Sequence, residues 1–100
     1  MIETTAFDAA EYLDTEELRQ GYLDFVAQDG TEEEFLEAVN TVARARGMTK
    51  TAQEVGITRE GLYKALSPKG NPSFMTVCKI LRAIGYRFSV TPIKKTQAVS

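Results

Sequence analysis

Residues 48–71 read MTKTAQEVGITREGLYKALSPKGN, and two short helical patterns within them meet at a glycine. Thr49 is placed to cap the first pattern, in which small Ala52 and apolar Val55 face inward. Gly56 follows, a residue that tolerates the positive φ of a sharp turn. Beyond Ile57, Thr58 caps a second helix over residues 59–66, and its Leu62 and Leu66 fall four apart on one face. Ala52 lets the two helices approach and Gly56 lets them turn, the spacing of a helix-turn-helix. With that face buried, Thr58, Arg59, Glu60, Tyr63 and Lys64 point outward, side chains able to reach phosphates and base edges in a major groove. A helix–glycine–helix with a few apolar contacts is also a common structural unit without a ligand, so the flanking chain has to decide.

One hundred residues, 43% hydrophobic and 26% charged, describe one soluble domain, 1–100, with a single modest core. No apolar run approaches the roughly 20 residues that span a membrane. No charged-then-apolar leader opens the chain, so a cytoplasmic protein is expected. Cys78, the lone cysteine, excludes an internal disulfide and fits a reducing compartment. It lies beside Val77 and Leu81 in a helical pattern, which points to packing.

The net charge of −2 hides a strong asymmetry. Residues 1–43 hold twelve acids and one base, Arg19, a balance of −11. Residues 44–100 hold eleven bases and two acids, Glu54 and Glu60, a balance of +9. A basic half can meet a polyanion while an acidic half meets a basic partner. The bland alternative is a solvated dipolar surface.

Taken in order, residues 1–7 form a Thr-rich arm with Ile2 and Phe7 as its apolar residues. Asp8 caps a brief helix, AAEYL. Thr15 opens the next helix, with Glu16 and Glu17 at its positive end and Leu18, Tyr22, Phe25 and Val26 as an apolar stripe read as core. Asp29-Gly30 closes it. Thr31 and Glu34 make a capping box, starting a helix that carries Phe35, Leu36, Val39, Val42 and Ala43 to about Arg46, with Gly47 as stop. These acidic N-terminal helices, 7–47, precede the helix-turn-helix and following helix, 48–85. Ser67-Pro68-Lys69-Gly70-Asn71-Pro72 is a turn cluster. Ser73 caps the last helix, whose expected buried face is Phe74, Val77, Leu81 and Ile84. Tyr86, Phe88 and Val90 then alternate with Arg87, Ser89 and Thr91, the period of a half-buried strand over 86–92. A lone strand must pair, with the N-terminal arm, with a twofold mate or with another protein. The fold class is mainly α, five to six helices with a short C-terminal β-strand.

Catalytic chemistry finds no foothold. The chain has no histidine, its acids are scattered without compact ligand spacing, and no nucleophile–base pair or glycine-rich phosphate loop is present. Neither an enzyme nor a cofactor or metal is expected.

The segment 48–66 followed by SPKGNPSF resembles the phage-repressor-like (Xre-type) helix-turn-helix. More narrowly, FDAAEYLDTEE with residues 43–90, ARARGMTKTAQEVGITREGLYKALSPKGNPSFMTVCKILRAIGYRFSV, is similar to HigA-like antidotes of toxin–antitoxin addiction modules, encoded beside a small RelE/ParE-type toxin. One departure is Thr51, where an apolar residue usually precedes the small Ala52. The resemblance implies a lambda-repressor-like DNA-binding domain and two jobs: neutralising the toxin by direct binding and repressing the shared operon at its operator as a dimer.

These readings combine into one expectation. Thr58, Arg59, Glu60, Tyr63 and Lys64 enter the major groove. Thr49 and Lys50 face phosphate at a helix start, and Lys69, Asn71 and Ser73 grip the neighbouring backbone. One small module binds weakly, so a homodimer on two half-sites is expected, with the acidic half turned to a small basic toxin. A phage-type repressor without a toxin and a protein-interaction adaptor remain the alternatives.

Overall fold

The computed structural model describes residues 8–93. Five α-helices form there: α1 Glu16–Asp29, α2 Glu32–Arg46, α3 Met48–Val55, α4 Arg59–Ala65 and α5 Phe74–Ala83, preceded by a 3-10 turn at Ala9–Tyr12. Their starts follow local side-chain chemistry. Thr15 Oγ1 accepts the Leu18 N–H at 3.1 Å, Thr58 Oγ1 the Gly61 N–H at 2.9 Å, and Ser73 Oγ the Thr76 N–H at 3.1 Å. Thr31 and Glu34 exchange the two bonds of a capping box, 3.1 and 2.9 Å. Each satisfies amides that a helix leaves without an internal partner.

Helix α2 sits at the centre, packed on α1, the 3-10 turn and α3, while α3 packs in turn on α4 and α5. The core runs through these contacts as Leu13, Leu23, Val39, Val42, Met48, Ala52, Leu62, Leu66, Ile80, Leu81 and Ile84. Burying a side chain of this size stabilises the fold by about 1.5–3 kcal/mol. Gly56 ends α3 at φ 92°, with the Ile57 N–H folded back onto the Ala52 carbonyl at 3.0 Å. At the end of α5 the Gly85 N–H reaches the Arg82 carbonyl at 3.1 Å and the Tyr86 N–H reaches Leu81 at 2.8 Å. This paired closure returns Tyr86 against the core.

Four expectations are corrected. Thr49 does not cap α3: the helix begins at Met48 and Gly47 is its N-cap, with no side-chain bond. Met48 is itself a core residue, and seating it draws the chain into the helix before the threonine. Second, the stripe on α1 is not core throughout. Leu23 is its buried residue, Tyr22 and Val26 are half-buried, and Leu18 and Phe25 are exposed at 51% and 67%. Third, Phe74 is exposed, and Ile80 takes its place in the buried face of α5.

Fourth, no β-strand forms among the described residues, and residues 86–93 carry no regular secondary structure. A strand is stabilised through a ladder with a neighbour, and no described segment of this chain supplies one. Tyr86 packs on the core, but Phe88 and Val90 are exposed. The expected pairing with the N-terminal arm falls on residues 1–7, outside the described residues.

Thr51, the polar departure before Ala52, is buried. Its hydroxyl donates to the Gly47 carbonyl at 2.9 Å, so the polar atom is satisfied within its own helix and the methyl is left for packing.

The two charge-biased halves are also stitched together. Arg44 Nη1 donates to Asp8 Oδ2 at 2.6 Å, and Arg46 Nη1 to Glu16 Oε2 at 3.0 Å. The Arg44 hydrogen bond, with a second from the Ala10 amide, holds the Asp8 carboxyl below its ordinary pKa. Two of the arginines counted with the basic half therefore serve the acidic one.

Candidate functional site

Helix α4 is built around one buried edge. Leu62 has no exposure, and Leu66 just past the helix end has almost none. With that edge fixed against α3 and the core, Thr58, Arg59, Glu60, Tyr63 and Lys64 all lie exposed on the rest of the segment. The Arg59 guanidinium carbon stands 5.8 Å from the centre of the Tyr63 ring, an i, i+4 cation–π contact. The ring limits where the guanidinium can swing without using any of its donors. Thr58 accepts from Gly61 through Oγ1, which leaves its hydroxyl proton for an outside acceptor.

Thr49 and Lys50 are exposed in the first turn of α3, an end that no side chain caps. Open amides and the positive end of the helix dipole favour an anion there. The loop after α4 is tightly placed. Ser67 Oγ donates to the Lys64 carbonyl at 2.9 Å, and the Gly70 N–H bonds the Ser67 carbonyl at 2.9 Å. A Cβ on Gly70 would fall within 2.8 Å of the Lys64 and Ala65 backbone, so only glycine lets the loop lie this close. Asn71 takes φ 47°, a conformation Asn adopts more readily than most residues. Lys69 and Asn71 are thereby held, exposed, beside the C-terminal end of α4.

Ser73 sits exposed at the start of α5 as the cap expected of it. Its Oγ accepts from the Thr76 amide and donates to Thr76 Oγ1 at 3.0 Å, so the hydroxyl is occupied by its own helix.

Sequence reasoning missed two features. The Arg59–Tyr63 stack was signalled by its i, i+4 spacing. An open groove between α1 and α2, with Phe25 at its side, had no such signal, because the stripe that contains Phe25 has the period of a core face. Among the described residues no group of three His, Cys, Asp or Glu could hold a metal ion. No helix there is long and apolar enough to cross a membrane.

Comparison with known proteins adds three findings. A family model described as "Probable addiction module antidote protein" matches residues 3–92. A Haemophilus influenzae protein described only as uncharacterized is 49% identical over 84 residues, which cover 84% of this chain and 87% of the relative. No solved structure matches the chain.

Proposed function

The chain belongs to the addiction-module antidote family, and from that premise we propose that it is the antitoxin of a type II toxin–antitoxin pair. It binds a small RelE/ParE-type toxin directly and represses its own operon by binding the operator through a helix-turn-helix formed by α3 and α4. The protein acts by binding alone, without catalysis, in the cytoplasm.

The observation that carries the DNA-binding half is the division of α4. One edge is anchored by Leu62 and Leu66, and the exposed remainder presents Thr58, Arg59, Glu60, Tyr63 and Lys64. In this reading Arg59, steadied over Tyr63, reads guanine, and its neighbours contact adjoining base edges and phosphates. The uncapped start of α3, with Thr49 and Lys50, takes one phosphate, and Lys69 and Asn71 take the flanking backbone.

A helix of this length reads few base pairs, so the protein binds as a twofold dimer on paired half-sites. The dimer contact is assigned to the apolar cluster at the far end of the chain. There Phe74 and Phe88 meet edge to face, 5.2 Å between centroids, and Met75, Val90 and Ile93 are exposed beside them in sequence. Exposed apolar surface of this kind favours association.

A gel shift on the chain's own promoter, run with and without the product of the adjacent open reading frame, tests both halves. A retarded band for the chain alone and a stable complex between the two proteins are expected. Promoter binding without any complex would turn the reading to a phage-type repressor. A complex without promoter binding would leave a protein-interaction adaptor.

A further inference from the structure

We propose that the groove between α1 and α2 is where the toxin docks, receiving a segment that carries Lys or Arg beside an apolar side chain. The inference rests on the antitoxin reading and adds the surface and the chemistry of the segment it accepts. The groove has a volume of about 360 Å3 and is lined on α1 by Tyr22, Phe25, Val26 and Asp29, and on α2 by Glu34 and Glu37.

Its apolar side is open to a partner. Phe25 is 67% exposed, on the side of α1 turned away from buried Leu23 two residues earlier. An aromatic ring left out in this way, beside half-buried Tyr22 and Val26, is the kind of anchor on which interfaces concentrate their energy.

Its polar side is uncompensated. No base lines the groove, and Asp29 and Glu37 make no ion pair among the described residues. The arginines nearest in sequence are committed elsewhere: Arg19 to Glu16 and the Leu13 carbonyl, Arg44 to Asp8, and Arg46 to Glu16. Glu34 is held by its bond from the Thr31 amide through Oε1, which leaves Oε2 for a second donor. A concave surface with three fixed or unpaired carboxylates repels a polyanion and selects a cation. The ring beside them selects a cation accompanied by an apolar group.

The test uses the full chain, co-expressed with the untagged product of the adjacent open reading frame. Affinity, oligomeric state and promoter binding are measured for Phe25→Ala, Glu37→Lys and Asp24→Lys. Asp24 lies exposed on the same helix but outside the groove, so its reversal changes the net charge equally. Phe25→Ala and Glu37→Lys should each weaken toxin binding about tenfold or more and leave promoter binding unchanged, while Asp24→Lys should have little effect.

Wild-type affinity in both groove variants would overturn the groove and spare the antitoxin reading. An equal loss in Asp24→Lys would mean that overall charge alone attracts the toxin, which also overturns it. A change in the chain's own sedimentation on Phe25→Ala would give the groove to a second copy instead. A wild-type chain that captures no toxin would remove the antitoxin reading, and this inference with it.

Discussion

Helix α4 has seven residues and α1 has fourteen, yet the shorter one buries its aliphatic side chains more completely. Leu62 and the capping residue Leu66 are sealed in the core, while α1 contributes Leu23 and leaves Leu18 and Phe25 in solvent. In α4 every strongly apolar side chain is used for folding, so the exposed face is polar and basic and its orientation is rigid. In α1 the apolar content exceeds what the fold consumes, and the excess stands among carboxylates. One helix shows a surface that packing has oriented; the other shows a surface that packing has left incomplete. That difference is what separates the nucleic-acid face from the protein-docking face in the function proposed above.

The contrast is broken most severely at Leu62. Leu62→Ala should destabilise the fold by about 2–5 kcal/mol, seen as a lower urea midpoint, with DNA binding lost through unfolding. Leu18→Ala on α1 should change stability by less than about 0.5 kcal/mol, as exposed positions do. Comparable losses at the two sites would erase the distinction.

Ending the chain after Gly85 comes next. Without residues 86–100 the protein should sediment as a monomer and hold its operator more weakly, since half-sites are no longer read together. Removing residues 1–7 should leave the dimer intact. A dimer that survives the C-terminal cut would move the twofold contact elsewhere.

Arg59→Ala sharpens the picture of the oriented face, with an expected loss of about 1–3 kcal/mol on the operator and relaxed discrimination at one base. Lys50→Ala and Lys69→Ala should instead weaken operator and random DNA alike, each reducing the salt slope by about 1. A base-specific effect from either lysine in competition gel shifts would contradict their assignment to phosphate.

The smallest effect belongs to the seam between the halves. Asp8 has a depressed carboxyl pKa in the folded state, caused first by Arg44 and then by the Ala10 amide. Its stabilising contribution is therefore present above the unfolded carboxylate pKa and is lost as the pH falls through the folded one. Asp8→Asn should lower the melting temperature slightly at neutral pH, and the gap should close in acid. The pair is partly exposed to solvent, which keeps the effect small. A gap that persists in acid would mean the carboxylate contributes by something other than its charge.

What could be read in the sequence was local. Thr15, Thr31, Thr58 and Ser73 cap helices because an oxygen there meets an amide three residues on, an event that needs no distant partner. The buried edge of α4 was legible for the same reason, because two leucines four apart in a short capped helix leave one choice of face. Thr49 failed as a cap because a core contact at Met48 overruled it. Phe25 and Phe74 failed because period marks which residues share a face and does not say whether another element covers it. The strand over 86–92 had the right alternation, but a ladder needs a neighbour. The pairs Asp8–Arg44 and Glu16–Arg46 span 36 and 30 residues, beyond what spacing along the chain can report.

The close seat of Gly70 on the Lys64 and Ala65 backbone has a consequence for thermodynamics. A loop that had to organise itself around a phosphate would lose conformational freedom on binding, at about 0.5–1.5 kcal/mol for each side chain brought to order. Here the hairpin of chain between α4 and α5 is already folded onto the helix end, and the separation between Lys69, Asn71 and the exposed face of α4 is fixed by backbone contact. In the DNA-binding reading proposed above it is a ruler cut to length in advance: a duplex whose groove matches that length would be met without rearrangement, and one that does not match would have to deform.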